Sequence, residues 1–346
     1  MLDISPRGAI TRSADRLDPP PAAWRREAAA GEVSLERHNA LRDAADCLNT
    51  LRVNQPPAPA QAPQQLRIAA WNLERCRHVG ESARLLKRAG ADICLLSEMD
   101  LGMARSGNRD TAAELAAALD MGHAYGVEFI ELDHGDAREA AAHGETPNAA
   151  GLHGNAIASR FAIDRAAMLP LDNGGLWFAG DAKGRQRRIG GRMALAVRHL
   201  LPQPLWVVAV HFESRMDPLD RDREARVLLS HVGALCGDEA VLLGGDFNCK
   251  SIKENGLLGE QVLKTPQDTE PMFSRLAEAG FDWWHSNSPG VTTRRHPWQD
   301  PAEPRRKLDW FFSRGLTCHD PRVVAAADRS QGNLSDHELI LVSVDL

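Results

Sequence analysis

The segment at residues 240–248 constrains the fold of this chain more than any other. Its sequence is Ala-Val-Leu-Leu-Gly-Gly-Asp-Phe-Asn, an apolar run followed by two glycines, a carboxylate and a carboxamide. The run predicts a strand buried on both faces, and the glycines allow a sharp turn or the close approach of a ligand. If the chain stays extended, Asp246 and Asn248 project to the same side. A plain turn explains the pattern equally well, since Gly, Asp and Asn dominate turns.

The composition is that of an ordinary water-soluble globular protein. The chain has 346 residues, 43% of them hydrophobic and 25% charged, which allows one large domain or two smaller ones. No apolar run is long enough to span a membrane and the first residues lack a signal-peptide core, so we expect a cytoplasmic location. The six cysteines have no metal-like spacing and are expected to be reduced. A net charge of -6 argues against indiscriminate binding of nucleic acid.

Residues 1–65 differ from the rest of the chain and predict a helical extension with a Pro/Ala-rich linker. Prolines cluster at 19–21 and again within 57–63, and Ser34 is a plausible N-cap between the two clusters. Apolar residues follow the cap at helical spacing, at Leu41, Ala44, Leu48 and Leu51. We expect this stripe to pack on the main domain or on a partner.

Strands and helices interleave in residues 66–346, which predicts a layered α/β (α+β) domain. We expect strands at 67–71, 92–96, 124–132, 155–159, 193–197, 205–211, 241–243, 308–312 and 339–344. We expect helices at 82–89, 110–119, 220–235 and 272–279.

Polar side chains recur where the predicted strands end. They are Asn72, Glu98, His211, Asp246 and Asp309, together with the pair Asp336-His337 near the C-terminus. Each alone is explained by capping, solvation or a structural hydrogen bond. Together they supply oxygen ligands for Mg²⁺, a base for water, and donors for developing oxyanion charge. Hydrolysis of a phosphate ester needs this combination.

Seven ordered motifs carry a resemblance to a known family. They are WNLE from residue 71, LLSEMD from 95, GNAIASR from 154, HFES from 211, GGDFN from 244, KLDWFF from 307 and LSDH from 334. The sequence from 66 to 346 resembles the Mg²⁺-dependent endonuclease/exonuclease/phosphatase (DNase I-like) superfamily. The element around HFES is most similar to the tyrosyl-DNA phosphodiesterase branch. The resemblance implies a four-layered α/β/β/α sandwich of two mixed sheets and a metal-dependent phosphoric ester hydrolase.

The resemblance also implies a metal site and a water site. Glu98 matches the principal metal carboxylate, and Asn72 and Asp336 match positions close to the metal. The expected ion is Mg²⁺, with Mn²⁺ as a substitute. Asp246 matches the residue that orients or deprotonates the attacking water, and Asn248 matches its phosphate-binding neighbour.

Further matched positions concern the substrate. His337 resembles the imidazole on the scissile phosphate, oriented by Asp309, and His211 matches a second phosphate-contacting group. The remaining substrate-binding candidates are Asn155, Ser214 and Arg215. No Ser or Cys nucleophile is required, and Cys249 is expected to be a buried apolar residue.

Three functions remain open from the sequence. The first is a phosphodiesterase or nuclease acting on nucleic acid or a nucleotide-like diester, favoured by basic segments at 183–188, 294–296 and 305–307. Tryptophans 177, 283, 284 and 298 offer either stacking surfaces for bases or core residues. The second is a phosphatase or phosphodiesterase of small or lipid-derived phosphates such as inositol phosphates. The third is a non-catalytic binding module, and the full set of matched polar residues argues against it.

Overall fold

The computed structural model of the protein describes residues 7–172, 175–179, 186–253 and 259–346. Lys183, Gly184 and Arg185 of the predicted basic segment lie outside these ranges. The strands are β1 (Ser13–Ala14), β2 (Leu51–Asn54), β3 (Gln65–Arg75), β4 (Ile93–Leu101), β5 (Gly122–Glu131), β6 (Leu152–Ser159), β7 (Arg165–Pro170), β8 (Arg188–Gly190), β9 (Met193–His199), β10 (Leu205–His211), β11 (Ala240–Asp246), β12 (Asp309–Arg314), β13 (Thr317–Val324), β14 (Ala327–Asp328), β15 (Gly332–Asn333) and β16 (Leu339–Asp345). The helices are α1 (Ala22–Ala30), α2 (Leu35–Ala44), α3 (Val79–Ala89), α4 (Thr111–Ala118), α5 (Ala137–His143), α6 (Pro218–Cys236), α7 (Gln261–Lys264) and α8 (Met272–Glu278).

Two mixed sheets form the centre of the molecule. Among the described residues, the larger sheet has the order β1-β2-β5-β6-β4-β3-β16-β13, with β8 paired to β5. The smaller sheet has the order β12-β11-β10-β9-β7. The pairs β3/β4 and β10/β11 are parallel, whereas β16/β3 and β11/β12 are antiparallel. Both sheets are therefore mixed, as the family resemblance implies.

Three hydrophobic cores separate four layers. Leu242 of β11 packs between the two sheets, whereas its neighbours Val241 and Leu243 point to the opposite face and pack under α6 and α8. In the larger sheet, Ile68 likewise faces the core between the sheets, and Trp71 faces the core under α3 and α4. Side chains alternate along a strand, so a run that is apolar throughout must be covered on both faces. The predicted α/β/β/α sandwich is confirmed.

Strand register brings the candidate residues to one edge of the sandwich. In the smaller sheet, Asp246 lies opposite His211 on one side and Asp309 on the other. In the larger sheet, Asn72 pairs with Ser97 of β4, one residue before Glu98, and the register of β3 and β4 shifts directly after it. Because the two sheets pack face to face, these strand ends meet above the core.

The N-terminal residues are attached to the larger sheet. Helix α2 begins after Ser34, whose Oγ accepts a hydrogen bond from the Arg37 amide at 3.2 Å, so the predicted N-cap is confirmed. The predicted helical stripe is wrong beyond Ala44, because Leu51 belongs to β2, which pairs with β5. The boundary at residue 65 stays a prediction.

Within the described ranges, none of the helices combines the length and the apolarity that crossing a bilayer requires.

A substitution at Gly245 tests the packing between β10 and β11. Gly245 has φ 140°, and a Cβ there would lie 2.2 Å from the Val210 carbonyl oxygen on β10. We expect Gly245→Ala to lower the free energy of unfolding by about 2 kcal/mol or more, because strain adds to a steric clash. Urea unfolding followed by circular dichroism measures the change.

Gly233→Ala is the matched control. Gly233 lies within α6 and a Cβ there would meet no atom within 4 Å. Alanine favours helix over glycine, so this variant should gain about 0.5–1 kcal/mol. Equal effects of the two substitutions would contradict the described register of β10 and β11.

Candidate active site

A cavity of about 260 Å³ opens where the strand ends of the two sheets meet. Most of the residues predicted from the sequence line it: Asn72, Glu98, His211, Ser214, Asp246, Asn248, Asp336 and His337. Asp309 lies directly behind His337. The strand ends therefore gather residues from six separate parts of the chain around one polar space.

Asp246 stands at the centre of this group. Its Oδ2 accepts a hydrogen bond from Asn72 Nδ2 at 3.3 Å and lies 3.7 Å from His337 Nε2 and 3.9 Å from His211 Nε2. Its Oδ1 accepts a hydrogen bond from the backbone N–H of Asn248 at 2.8 Å. The carboxylate is thus fixed by two donors and faced by two imidazoles.

The segment after β11 is both a strand end and a turn. Asn248 has φ 49°, so the extended conformation on which a shared side for Asp246 and Asn248 depends ends at Asp246. The Asn248 Nδ2 donates to the Phe212 carbonyl oxygen at 2.9 Å, which holds the amide beside the end of β10. The two side chains are brought to the cavity by this turn and not by strand alternation.

Glu98 reaches the cavity from an irregular point in β4. The pairing of β4 with β6 shifts register between Leu96 and Met99, and Glu98 has φ 56°. Asn72 Nδ2 donates to Glu98 Oε1 at 3.1 Å, and Arg75 forms an ion pair with Oε2. Burial alone would raise the pKa of Glu98, but Arg75 and nearby histidines outweigh it and hold the pKa well below its usual range. Glu98 is an anion at neutral pH.

A second acidic group lies next to Glu98. Carboxylate oxygens of Glu74 and Asp336 and a ring nitrogen of His296 come within 4.8 Å of one another, and His296 Nε2 is 2.9 Å from Glu74 Oε1. The pKa of Asp336 is raised to about 6, with burial as the largest cause. The charge of His337 lowers this pKa, and the charges of Glu74 and Glu98 raise it. Crowded carboxylates with excess negative charge are the donor set that Mg²⁺ prefers. The residues present therefore fit a divalent cation.

His337 and Asp309 form a buried pair. His337 Nδ1 lies 2.8 Å from Asp309 Oδ2, and the Asp309 side chain is completely buried. Burial alone would lower the pKa of His337, but Asp309 and Asp246 raise it well above its ordinary value. The pair fixes the ring plane and leaves Nε2 directed at Asp246.

His211 is held from behind by Arg192. The Arg192 Nη1 lies 2.8 Å from His211 Nδ1, and the same guanidinium forms ion pairs with Glu128 and Glu213. The same Nη1 lies 3.2 Å from His211 Nε2, and Glu128 Oε1 lies 3.5 Å from Nδ1, so both ring nitrogens have polar neighbours in the protein.

Two of the predicted substrate-binding residues do not line the cavity. Asn155 is fully buried below it, where Nδ2 donates to Glu128 Oε1 at 3.2 Å and to the Met193 carbonyl oxygen at 2.9 Å. Arg215 is exposed, and its backbone amide donates to Glu213 Oε1 at 2.9 Å.

The tryptophans divide between core and surface. Trp177 is buried and its Nε1 donates to Glu213 at 3.0 Å, while Trp283 packs against Phe273 in the core. Trp284 and Trp298 are exposed, and the Trp298 ring stacks on His296 with 4.1 Å between ring centroids. None of the four lines the described cavity.

Four residues near the site escaped the sequence analysis: Glu74, Arg192, Lys250 and His296. Glu74 follows Asn72 by two positions, so strand alternation alone could have placed both on one face. Arg192 lies in a segment without a recognisable pattern, whereas His296 belongs to the basic segment 294–296, which was predicted only as a basic loop. Tertiary packing brings both to the site. Lys250 lies two residues after Asn248, inside the turn.

The chain matches the sequence profile of one protein family. Residues 69–337 match the profile described as "Endonuclease/Exonuclease/phosphatase family". A search of curated proteins found no similar sequence.

Solved structures with the same fold are distant in sequence. An endonuclease/exonuclease/phosphatase from Beutenbergia cavernae is 18% identical with a TM-score of 0.56, over 82% of this chain and 72% of that one. An endonuclease/exonuclease/phosphatase family protein from Leptotrichia buccalis is 15% identical with a TM-score of 0.53, over 81% and 100%. TDP2 from C. elegans is 14% identical with a TM-score of 0.50, over 82% and 75%. At these identities the likeness concerns the fold.

The buried pair makes a prediction about proton binding. In Asp309→Asn the pKa of His337 should fall, because burial still opposes the charged ring and its nearest carboxylate is gone. Titration of the His337 ring Cε1 proton by NMR measures this. The control is Asp282→Asn, which removes an exposed carboxylate far from the pair and should leave the His337 titration unchanged.

The same pair makes stability depend on pH. Because the folded pKa of His337 lies above its ordinary value of 6.5, its contribution is complete below that pH and is lost as pH rises through the folded pKa. Urea unfolding over this range should show a decline that is weaker in Asp309→Asn. If the pKa of His337 is the same in Asp309→Asn as in the unsubstituted protein, the assigned pairing is wrong.

Proposed function

The chain belongs to the endonuclease/exonuclease/phosphatase family, and we propose that it is a metal-dependent phosphodiesterase that uses water oriented by Asp246 as its nucleophile. The observation that carries this proposal is the position of the Asp246 carboxylate. Asn72 Nδ2 and the backbone N–H of Asn248 both donate hydrogen bonds to it and hold it in place. Fixed in this way, it can accept a proton from a water without moving. General-base catalysis by a positioned carboxylate contributes about 10²–10⁴ to the rate.

The acidic side of the cavity provides the metal ligands in this proposal. Glu98, Asp336 and Glu74 supply carboxylate oxygens, and Asn72 orients Glu98 through its amide. A bound Mg²⁺ would polarise the phosphate and stabilise charge on its oxygens. Mn²⁺ should replace it, because the donor set consists mainly of oxygen atoms.

The two imidazoles act on the phosphate. The pKa of His337 lies well above its ordinary value, so its ring is protonated at neutral pH and Nε2 donates to a phosphate oxygen. His211 reaches the phosphate from β10, the strand paired with β11, and Arg192 fixes its ring from behind. Donors that are already aligned cost no reorganisation when negative charge develops.

Water is favoured over a side chain as the nucleophile. The thiol nearest to the site, Cys249, is completely buried, and burial raises its pKa well above the ordinary value. A neutral buried thiol is a poor nucleophile. In-line displacement by water needs no covalent intermediate.

Hydrolysis of bis(p-nitrophenyl) phosphate tests the proposal. We expect activity with Mg²⁺ or Mn²⁺ and none with EDTA. Asp246→Asn and His337→Ala should each lower kcat by about 10²-fold to 10⁴-fold, because each removes a group that acts in the transition state. Arg223→Ala, on the exposed face of α6, is the control and should keep full activity.

The proposal fails if the folded protein shows no metal-dependent hydrolysis of any phosphoester in a broad panel. Activity that persists fully in Asp246→Asn would overturn the assignment of the water-orienting residue and leave the enzyme class intact.

Salt dependence separates two substrate classes. A nuclease that holds several backbone phosphates should lose kcat/KM steeply as salt rises, because counterions then compete at each contact. An enzyme for small phosphates such as inositol phosphates should respond weakly. The second class gains support from the cavity, since no Phe, Tyr or Trp is found among its described lining residues. Rates on single-stranded DNA, RNA, 5′-tyrosyl DNA and inositol phosphates at matched salt decide between the two.

A further inference from the structure

A histidine lies next to the carboxylates that are proposed to bind the metal. A ring nitrogen of His296 and carboxylate oxygens of Glu74 and Asp336 come within 4.8 Å of one another. Atoms that bind one divalent ion at about 2.1 Å each lie at most about 4.2 Å apart, so a shift of roughly half an ångström lets all three share an ion. Neither Glu74 nor His296 was predicted as a metal ligand, and the proposed hydrolysis leaves His296 without a role.

The loop that carries His296 is paired with the segment that carries Asp336. The Arg294 backbone N–H donates to the Asp336 carbonyl oxygen at 2.6 Å, and Thr293 forms a backbone bridge with His337. These contacts use the main chain, so the side chains of His296 and Asp336 are not needed to hold the two segments together. The fold brings both side chains to one place and leaves their polar atoms for another partner.

The His296 ring is held in one orientation. Its face stacks on the exposed Trp298, with 4.1 Å between ring centroids and 8° between ring planes. The ring is buried, and its Nε2 lies 2.9 Å from Glu74 Oε1. The ring plane and the direction of Nε2 are therefore set before an ion binds, which lowers the ordering cost of binding.

The carboxylates have more acceptor capacity than the described protein groups use. The contacts of Glu74 with His296 and Arg77 both involve Oε1, so Oε2 has no donor within the described ranges. In the same part of the chain, nothing donates a hydrogen bond to the Asp336 carboxylate or forms an ion pair with it. Glu98 adds a third negative charge that acts on Asp336. A bound cation would satisfy these oxygens and offset their repulsion.

The nitrogen donor distinguishes this set from an all-oxygen site. Mg²⁺ binds through carboxylates and water, whereas first-row transition ions also accept imidazole nitrogen. Affinity for such donors rises from Mn²⁺ to Co²⁺ along the first-row series. A site that includes His296 therefore gains affinity for Mn²⁺ that it does not gain for Mg²⁺.

We propose that His296 Nε2 is a ligand of the divalent cation, so that the site binds Mn²⁺ in preference to Mg²⁺. This inference rests on the proposed function and specifies the ion. The ring binds the ion as neutral imidazole, so a proton on Nε2 moves to Nδ1 of the same ring or to solvent. The hydrogen bond between His296 and Glu74 is replaced by bonds from both residues to one ion, which Asp336 also binds.

Isothermal titration of the metal-free protein with MnCl₂ and MgCl₂ measures the preference. We expect the Kd for Mn²⁺ to be at least about tenfold lower than that for Mg²⁺. His296→Gln keeps an amide donor for Glu74 and offers an oxygen in place of the nitrogen. It should raise the Kd for Mn²⁺ by about tenfold and that for Mg²⁺ by less than about threefold.

Two further variants accompany this measurement. His296→Asn should change the two affinities in the same direction, so the test does not depend on one variant folding. Circular dichroism checks the fold of each. His285→Gln is the matched control, because His285 is exposed, pairs with Asp282 and is absent from the described cavity lining, and it should change neither affinity.

Electron spin echo envelope modulation of bound Mn²⁺ detects the nitrogen directly and does not depend on turnover. A ¹⁴N nucleus bound to the ion modulates the echo. We expect this modulation in the unsubstituted protein and its loss in His296→Gln. It should persist in His211→Gln, which removes the imidazole that lies 3.9 Å from Glu98 Oε1.

The outcomes separate this inference from the proposed function. A ratio of Mg²⁺ to Mn²⁺ affinities that His296→Gln leaves unchanged overturns the role of His296. Bound Mn²⁺ without nitrogen modulation, or modulation that is lost only in His211→Gln, also overturns it. In each case metal-dependent hydrolysis of a phosphoester would leave the proposed function standing. Absence of such hydrolysis with every ion refutes the proposed function, whichever ion binds.

Discussion

The architecture depends on strands that must be covered on both faces. In β11, Val241 and Leu243 face one core and Leu242 faces another, so no two-layer arrangement would remove all three from water. The same condition holds for β3 and β10. Two sheets packed together with helices outside satisfy it, and the strand ends that result are the place where polar residues can meet. The site is a consequence of how the apolar runs are buried.

Much of this follows from local sequence. The apolar strands, the cap of α2 at Ser34, and the carboxylates and imidazoles at strand ends all have short-range patterns, so they could be predicted. The elements that the sequence analysis missed include β2, β7 and β13, each of which pairs with a strand in another part of the chain. Their stability comes from tertiary contacts, and local propensity is a weak guide to such elements.

The candidate site shows the same division. Asp246, Glu98 and His337 come from motifs and were predicted, whereas Arg192 and His296 depend on loops that fold back onto the sheets. Arg192 is the clearest case: it lies just after β8, and its partners Glu128 and Glu213 are 64 and 21 residues away in the sequence. A residue whose role is to hold another residue leaves no local signature. Asn155 is the converse, a motif residue that the fold places below the cavity.

The pairing of β2 with β5 affects more than the N-terminal residues themselves. Register pairs Arg52 with Tyr125 and Asn54 with His123, so β2 covers the backbone hydrogen-bonding groups along that side of β5. An uncovered strand edge is a template for another chain. Without residues 1–65 the catalytic residues would all remain, but β5 would present an open edge along 123–125. In the folded chain, β2 occupies this edge, so the backbone groups of β5 along 123–125 are paired within the molecule.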